Sequence, residues 1–248
     1  KGKIGELSDE DVIVNEPCIV CISSNGYIKR LKDDTYKKQG RGGKGVTGQS
    51  LKEEDEISIL RTCNTHDYAL FFTNTGRVYK LRVWEIPESS RTAKGTALVN
   101  FLNISKEESV HSFLALTPER LESGEGFVVF ATELGQVKKT SLEDYSNIRT
   151  SGIVAIKLTN GDFLVKAGLT GGKDEILLTT AYGQSIRFKE SDVRSMGRSA
   201  SGVTGIRLGE NDDWVVGMVV ISKLDSTGNL VVVSEKGYGK KTSLNEYK

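Results

Sequence analysis

A five-fold internal repeat constrains the fold of this chain more than any other feature of its sequence. Each copy has an apolar run, a glycine turn and then a strand rich in basic residues. The turn glycines are Gly26, Gly76, Gly135, Gly183 and Gly237, separated by 50, 59, 48 and 54 residues. Each copy predicts a β-hairpin, and repeats of this length are typical of blades in propeller-type arrays.

A second element follows four of the turns at a nearly constant distance. It runs from an arginine to a glycine, at Arg41–Gly45, Arg91–Gly95, Arg149–Gly152 and Arg198–Gly202. The closing glycine lies 19, 19, 17 and 19 residues after the turn glycine of its own copy. So constant a distance indicates that one structural unit is repeated.

Two further strand-like stretches follow the closing glycine in each copy, for example 153–158 and 163–169, or 203–208 and 214–222. We therefore predict an all-β fold, a β-pinwheel or propeller-like ring of four-stranded blades, because a single blade cannot bury both of its faces.

The same pattern predicts a single β-pinwheel domain over residues 1–248. Its repeats span about 15–66, 67–124, 125–174, 175–228 and 229–248, the last incomplete. Either a complete domain has a sixth blade, or residues 4–14 supply the strands that close the ring.

Composition argues against several classes of protein. Hydrophobic residues make up 37% and charged residues 27% of the 248, and no apolar run approaches the ~18 residues of a membrane helix. The first ten residues lack the features of a secretory signal, and three cysteines are too few for a disulfide framework. We expect a cytoplasmic protein with no membrane partner.

The distribution of charge is more informative than the net charge of +1. Basic side chains recur at corresponding positions of the copies, which predicts a basic belt made of Arg77, Lys80, Arg91, Lys94, Lys138, Lys139, Arg149, Arg187, Lys189, Arg194 and Arg198, with seven more between Lys29 and Lys44. The acids cluster in connectors such as 53–56, 174–175 and 210–213, which we expect away from the belt. Such a belt is typical of proteins that bind polyanions, although strand-end lysines also block edge pairing.

Residues 39–45 carry the most specific chemistry of the sequence. Four glycines in seven residues let a backbone approach a phosphate closely, while Arg41 and Lys44 add positive charge. The segment is not a nucleotide-binding P-loop, because glycine follows Lys44 and no helical pattern comes after it.

Along essentially its whole length the chain resembles the C-terminal domain of the DNA gyrase A subunit. Residues 39–45 resemble the gyrase A box, usually written Q-R-R-G-G-K-G, and differ from it by Gly40 in place of an arginine. The motifs in 85–95, 191–198 and 237–242 strengthen the resemblance.

The resemblance implies a six-bladed β-pinwheel that wraps double-stranded DNA without sequence preference, so that the holoenzyme introduces negative supercoils. It implies as partners the gyrase A catalytic core and the gyrase B subunit of an A2B2 enzyme in the nucleoid, with the isolated domain a monomer. Catalytic residues, ATP and Mg²⁺ would belong to other parts of that enzyme, and this domain would have no cofactor, metal or catalytic site. DNA contacts are expected from the box, Gln39, Gly40, Arg41, Gly42, Gly43, Lys44 and Gly45, and from the rim, Lys37, Lys38, Arg91, Lys94, Arg149 and Arg198.

The cysteines, histidines and tryptophans suggest other functions, which the sequence supports less well. A zinc site from Cys18, Cys21, Cys63 and His66 is disfavoured, because the first two occupy opposite faces of an apolar strand and are expected as buried thiols. Enzymatic activity has no support from the two histidines, and both tryptophans are expected to pack within blades. The alternatives are a propeller that binds proteins and the topoisomerase IV counterpart, whose box is usually degraded.

Overall fold

The computed structural model describes residues 9–35, 55–209, 212–223 and 227–247, and these are mostly β-structure. The strands are β1 (Pro17–Ser23), β2 (Tyr27–Lys32), β3 (Ile57–Asn64), β4 (Tyr68–Thr73), β5 (Arg77–Arg82), β6 (Thr96–Ala97), β7 (Val110–Leu116), β8 (Phe127–Thr132), β9 (Gln136–Ser141), β10 (Ile153–Val154), β11 (Leu164–Thr170), β12 (Glu175–Thr180), β13 (Ser185–Lys189), β14 (Val203–Thr204), β15 (Val215–Ile221), β16 (Asn229–Val233) and β17 (Gly239–Ser243). The helices are α1 (Asp9–Val12) and α2 (Pro118–Ser123), and single 3-10 turns span Asp33–Thr35, Val83–Glu85, Leu98–Asn100, Leu142–Tyr145, Glu190–Asp192 and Leu244–Glu246. The all-β prediction is confirmed.

Each predicted hairpin forms the centre of its own sheet. Sheet 1 has the strand order β3-β1-β2-β6, sheet 2 the order β7-β4-β5-β10, and sheet 3 the order β11-β8-β9-β14. Among the described residues, sheet 4 contains β15-β12-β13 and sheet 5 contains β16-β17. In the first three sheets the fourth strand comes from the next sequence copy, so the structural repeat is offset from the sequence repeat.

The exchanged strands are much shorter than the stretches predicted from sequence. Of 203–208, only Val203 and Thr204 pair with β9, and the N–H groups of Gly205 and Ile206 then both donate to the Gly135 carbonyl, at 2.8 and 3.2 Å. The chain therefore bends around the turn glycine of the preceding hairpin, and a Cβ on that glycine would lie 2.5 Å from the Ile206 carbonyl oxygen.

A serine or threonine three residues before each turn glycine completes the hairpin turn. Its hydroxyl accepts a hydrogen bond from the N–H of the residue after the glycine, at 3.0 to 3.3 Å, through Ser23, Thr73, Thr132, Thr180 and Ser234. The glycine itself has a positive φ in all five turns. This hydrogen bond occurs in all five turns, and the spacing of three residues between the Ser or Thr and the glycine identifies it in the sequence.

Three of the turns are also held by an aspartate that precedes the outer strand. Asp162 Oδ1 accepts from the N–H groups of Leu134 and Phe163, at 3.0 and 2.9 Å. Asp213 does the same for Tyr182 and Trp214, at 3.0 and 2.9 Å, and Asp55 for Asn25 and Glu56, both at 3.0 Å. We call these aspartates turn clasps, because each stabilises a hairpin turn through the hydrogen bonds that its carboxylate accepts.

The chain divides into two compact units, each with its own core. Unit 1 (1–72, 78–123 and 148–153) packs alternate residues of β1, such as Val20 and Ile22, against sheet 2 residues including Phe71. Unit 2 (73–77, 124–147 and 154–248) packs residues such as Val129 and Leu178. None of the helices in the described part of the chain has the length and apolar character that crossing a membrane requires.

Candidate nucleic-acid interface: the arginine arches

The arginine-to-glycine element forms an arch beside the second strand of the preceding hairpin, and we call it an arginine arch. In the first arch (residues 89–95) the chain begins parallel to β2, where the Arg30 N–H donates to the Pro87 carbonyl and the Ser89 N–H to the Arg30 carbonyl, both at 3.0 Å. It then turns and returns as β6, antiparallel to the start of β2. The arch therefore spans the edge of sheet 1 beside Lys29.

The second arch (residues 196–202) repeats this path on sheet 3. Ser195 bridges Lys139 in a parallel arrangement, and the Met196 N–H donates to the Lys139 carbonyl at 2.8 Å. The chain then returns as β14, which pairs with the start of β9. Each unit thus carries an arch of the same construction.

A buried lysine fills each of these two arches. Lys29 is 1% exposed, and its Nζ lies 2.6 Å from the Arg91 carbonyl oxygen, 2.7 Å from that of Ala93 and 3.4 Å from that of Ser90. Three ammonium protons meet three acceptors. Burial lowers the pKa of Lys29, and the nearby Cys21 opposes that shift.

Lys138 occupies the corresponding place in the second arch and is fully buried. Its Nζ lies 2.8 Å from the Arg198 carbonyl oxygen and 2.5 Å from that of Ala155. Burial lowers the pKa of Lys138 to about 7, Asp144 opposes the shift, and the positive charge of Arg198 adds to it.

A glycine closes each arch where the chain meets the strand. Gly95 has φ +89° and Gly202 has φ +100°, a region that side chains rarely adopt. A Cβ would lie 2.5 Å from the Ile28 carbonyl oxygen at Gly95 and 2.4 Å from the Val137 carbonyl oxygen at Gly202. The glycine that ends the sequence motif is thus a steric requirement of the arch.

The third arch (residues 149–152) is one residue shorter between its arginine and its glycine, and an aromatic side chain replaces the lysine. The ring of Tyr79 lies beneath Gly152, where a Cβ would come within 2.6 Å of it. The Tyr79 hydroxyl donates to the Glu108 carboxylate at 3.2 Å. This copy is the one in which the closing glycine follows the turn glycine by 17 residues and not by 19. The shorter arch therefore has a tyrosine ring beneath it, where the longer arches have a lysine.

Four of the predicted rim side chains lie on these arches. Lys94 and Arg149 are exposed, and Arg91 and Arg198 are half-buried. Lys94 Nζ lies 3.6 Å from the centroid of the Tyr27 ring, a cation–π contact that fixes the ammonium at the surface. Arg91 Nε has no hydrogen-bond partner within the described residues.

The predicted basic belt is wrong for three of its lysines. Lys138 and Lys139, like Lys29 of the first copy, are buried, with no more than 7% exposure. They occupy the third and fourth positions after the turn glycine, where the strand lies beneath an arch or a neighbouring 3-10 turn. Sequence reasoning treated all basic side chains of a strand alike, whereas the arch covers the edge on which these lie.

In three copies the basic side chain at the fourth position after the glycine holds a 3-10 turn of the next copy or the residue that follows that turn. Lys139 Nζ donates to the Glu190 carbonyl at 2.8 Å, and Arg187 Nη1 to the Leu244 carbonyl at 2.6 Å. Arg30 Nε donates to the Ile86 carbonyl at 3.2 Å. These charges tie consecutive copies together and are not available to an external ligand.

The predicted box, Gln39 to Gly45, and the neighbouring Lys37 and Lys38 lie outside the described residues. Their contribution stays a prediction.

The cysteines behave as buried thiols, as expected. Cys18 and Cys63 lie on adjacent strands with their Sγ atoms 3.7 Å apart, and Cys21 belongs to a different apolar cluster. His66 Nε2 instead lies 2.7 Å from the Ile13 carbonyl oxygen. Within the described ranges, no three side chains of the metal-binding types converge on one point.

The two tryptophans differ in environment. Trp84 is half-buried and packs edge-on against His66, at 5.2 Å between ring centroids. Trp214, which was predicted to pack within a blade, is instead 43% exposed and meets the 65% exposed Tyr182 edge-on at 6.1 Å. Both rings of the second pair flank the turn that Asp213 holds.

Repeated antiparallel sheets that exchange a strand with the next copy, with arginine arches on their edges, define a propeller-type repeat protein. The family model described as "DNA gyrase C-terminal domain, beta-propeller" matches residues 19–64, 67–117, 126–170, 174–222 and 228–248. These segments cover more than half of the sequence, and the chain belongs to this family.

Known proteins similar to the chain agree with this assignment. The DNA gyrase A subunit of Staphylococcus aureus (strain MRSA252) is 44% identical over 247 residues, which cover 100% of this chain and 27% of the relative. The chain thus spans about a quarter of the length of the curated relatives it matches.

Two solved structures are similar in fold. One is described as "Structure of DNA gyrase A C-terminal domain" and has a TM-score of 0.75 at 27% identity, over 94% of this chain and 73% of that one. The other, "Crystal structure of the C-terminal domain of DNA topoisomerase IV", has a TM-score of 0.73 at 29% identity, over 95% and 70%.

Proposed function

We propose that this chain is a non-catalytic module that binds and wraps duplex DNA for a type II topoisomerase of the gyrase kind. The observation that carries the proposal is the arginine arch, which recurs on the sheet edges and presents Arg91, Lys94, Arg149 or Arg198 at the surface of its unit. Membership of the gyrase C-terminal family supports it. The catalytic residues, the ATP and Mg²⁺ sites and the A2B2 assembly would belong to the remainder of the enzyme.

The chemistry of the arches favours phosphate contacts over the reading of bases. Guanidinium and ammonium groups on short, closed loops are suited to phosphate oxygens, and such contacts position a protein on DNA without sequence information. Each arch is too small to enter a groove as a helix or a β-ribbon would. We therefore infer binding to duplex DNA without sequence preference.

Wrapping requires several contacts at once. Bending a duplex by 40–90° over 20–30 base pairs costs roughly 1–6 kcal/mol. One or two exposed phosphate contacts, each worth on the order of 1 kcal/mol, do not offset that cost. We infer that the box around Arg41 and Lys44 makes the anchoring contact and that the arches extend it.

Ligation of nicked circular DNA in the presence of the purified chain tests the proposal, because wrapping changes the linking number of the closed product. Replacing Arg41 and Lys44 with alanine should abolish that change while circular dichroism and the unfolding midpoint stay as in the wild type. Persistent wrapping by this variant would refute the box as the anchor.

The arches are tested by the triple variant Arg91→Ala, Arg149→Ala, Arg198→Ala. We expect a smaller linking-number change and an affinity at least tenfold lower, because three charges leave the surface. The matched control is Arg61→Ala with Arg120→Ala and Arg207→Ala, three exposed arginines outside the arches. An equal loss of DNA affinity in the arch variant and in the control variant would show that only the overall charge matters. It would refute the arch as the binding element.

A further inference from the structure

We propose that Lys29 and Lys138, although buried, are positioning residues for DNA binding, because they fix the arginine arches that present Arg91 and Arg198. The inference rests on the proposed function. Neither ammonium can reach a phosphate, since Lys29 is 1% exposed and Lys138 is fully buried. Each acts through the carbonyl group of the arginine that it holds.

The backbone of the arch makes an internal hydrogen bond, from the Ala93 N–H to the Ser90 carbonyl at 3.2 Å, which leaves the carbonyl groups of Arg91 and Ala93 to another donor. The feet of the arch are hydrogen-bonded to the strand, but the carbonyl groups of Arg91 and Ala93 turn inward between them and take their hydrogen bonds from Lys29 Nζ. The strand at that point donates its own N–H to β1, with which Lys29 pairs opposite Cys21. Removing the ammonium therefore leaves inward carbonyl groups without a donor, and the arch loses its defined shape.

The arrangement occurs twice, with more lysine contacts in the first arch. Lys29 holds three carbonyl groups of its arch, whereas Lys138 holds that of Arg198 and, outside the arch, that of Ala155. The Ala200 carbonyl of the second arch accepts instead from the Lys157 N–H at 3.2 Å. In both arches the lysine is the third residue after a turn glycine, and it holds the carbonyl of the arginine that opens the motif. The closing glycine packs against the strand one residue before the lysine. Because the contact between the lysine and the arginine carbonyl occurs in both units, we attribute it to the positioning of the arginine and not to the packing of one particular sheet.

The third arch provides an internal comparison. There the corresponding side chain is Tyr79, the arginine-to-glycine spacing is one residue shorter, and the ring fills the space beneath Gly152. A filled arch without an ammonium is therefore compatible with the fold. Burying the ammonium groups of Lys29 and Lys138 costs free energy of folding. We infer that these lysines are present because the carbonyl groups of the longer arch need a hydrogen-bond donor.

The test is DNA affinity of the purified chain carrying Lys138→Met, which keeps the length of the side chain and removes the ammonium. We expect the dissociation constant for a 40-base-pair duplex to rise about fivefold or more. The matched control is Lys139→Met with Glu190→Gln, because Lys139 is adjacent on β9 and also buried but holds Glu190 and no arginine, and the second change avoids leaving the buried Glu190 carboxylate without its charge partner. If affinity falls equally in both variants, the effect is a general loss of structure and the proposal is overturned.

A double-variant cycle shows whether Lys138 acts through Arg198. Arg198→Ala keeps the carbonyl that Lys138 holds and removes the guanidinium. In that background Lys138→Met should lower affinity less than twofold further, whereas independent effects would multiply and would overturn the proposal. Undiminished affinity of Arg198→Ala alone would instead refute the arches as DNA contacts, so the two failures are distinguishable.

Hydrogen exchange supplies a readout that does not depend on DNA. In Lys29→Met the amides of Ser89 and Ala93, which donate to the carbonyl groups of Arg30 and Ser90, should lose protection while those of β1 and β3 keep theirs. Should Lys138→Met fail to fold, Lys138→Gln is used, whose amide nitrogen ends one atom short of the ammonium and so releases the Arg198 carbonyl; its affinity is compared with that of Lys139→Gln by the same criterion. Unchanged protection in the arch together with unchanged affinity would overturn the inference.

Discussion

Basic side chains that look equivalent in the sequence divide at the residue level into two classes. Arg91 and Arg198 lie at the surface of an arch, whereas Lys29 and Lys138 lie beneath it. The recurrence of these residues was visible in the sequence, but their burial was not. It depends on a segment from the next copy that covers the strand edge, which no local pattern encodes.

Lys138 makes stability depend on pH in a definite direction. Its pKa is lowered by burial from 10.5 to about 7, so between these values the unfolded chain holds a proton that the folded chain has lost. Unfolding then takes up a proton, and the free energy of unfolding should rise by about 1 kcal/mol for each pH unit above 7. Below pH 7 this contribution is constant.

Urea unfolding at pH 6.5, 7.5 and 8.5, compared between the wild type and Lys138→Met, measures this effect. The difference between the two curves removes the titration of all other groups. We expect the wild type to gain stability relative to the variant as the pH rises, and parallel curves would contradict the assignment. The arch itself should persist, because a neutral amine keeps two N–H donors for its two carbonyl acceptors.

Two glycines with similar backbone angles should respond differently to alanine. Gly183 has φ +85° and nothing within 4 Å of an added Cβ, whereas Gly202 has φ +100° and the Val137 carbonyl oxygen at 2.4 Å. Gly183→Ala should cost about 1–2 kcal/mol from backbone strain alone, and Gly202→Ala clearly more. Chemical denaturation of both variants gives the comparison, and equal costs would argue against the close approach.

At the level of elements, the sequence predicted the long strands well and the short ones poorly. The hairpins and the outer strands, such as β11 and β15, follow from apolar alternation and turn glycines. The two-residue strands β6, β10 and β14 were overextended, because their pairing partner is another copy and their ends are set by a carbonyl of its turn. The connector acids were predicted only as surface charge, whereas Asp162 and Asp213 are buried clasps.

The aspartate clasps should matter through their oxygen atoms. Asp162→Ala removes the acceptor of the Leu134 and Phe163 N–H groups and should destabilise the chain by about 2 kcal/mol or more. Asp162→Asn retains Oδ1 and should cost less than half as much. Thermal unfolding of the pair at neutral pH distinguishes them, and equal losses would point to the charge instead of the hydrogen bonds.

For Asp213, burial raises the pKa, but hydrogen bonds from Thr180 and from the N–H groups of Tyr182 and Trp214 outweigh it, so the pKa is below its ordinary value. Its contribution to stability is therefore present near neutral pH and is lost as the pH falls through that lowered value.

For the molecule as a whole, the five-fold repeat was enough to predict an all-β, propeller-type protein, and the family match confirms that class. The site was only partly predictable. The arginine-to-glycine motifs coincide with the arches, and their contact with DNA stays a prediction, while the predicted belt wrongly included buried side chains such as Lys139.

Salt should weaken DNA binding by the whole chain in proportion to the phosphates it neutralises. If Arg91, Lys94, Arg149 and Arg198 each neutralise one phosphate, the slope of log K against log[salt] is roughly −4 or steeper. Each alanine substitution on an arch should reduce its magnitude by about 1. Titrations at several salt concentrations measure the slope, and a flat dependence would be incompatible with phosphate contacts.

The exchange of the fourth strand has a consequence for how such chains can be recombined. A segment excised at the borders of the sequence copies takes its short strand away from the preceding sheet and leaves an open edge there. A cut just after β6 keeps sheet 1 complete but separates β4 and β5 from their partners β7 and β10, and a cut just after β10 separates β8 and β9 from β11 and β14 in the same way. The first three sheets therefore overlap along the chain, and no single cut between them yields segments in which every sheet keeps all of its strands.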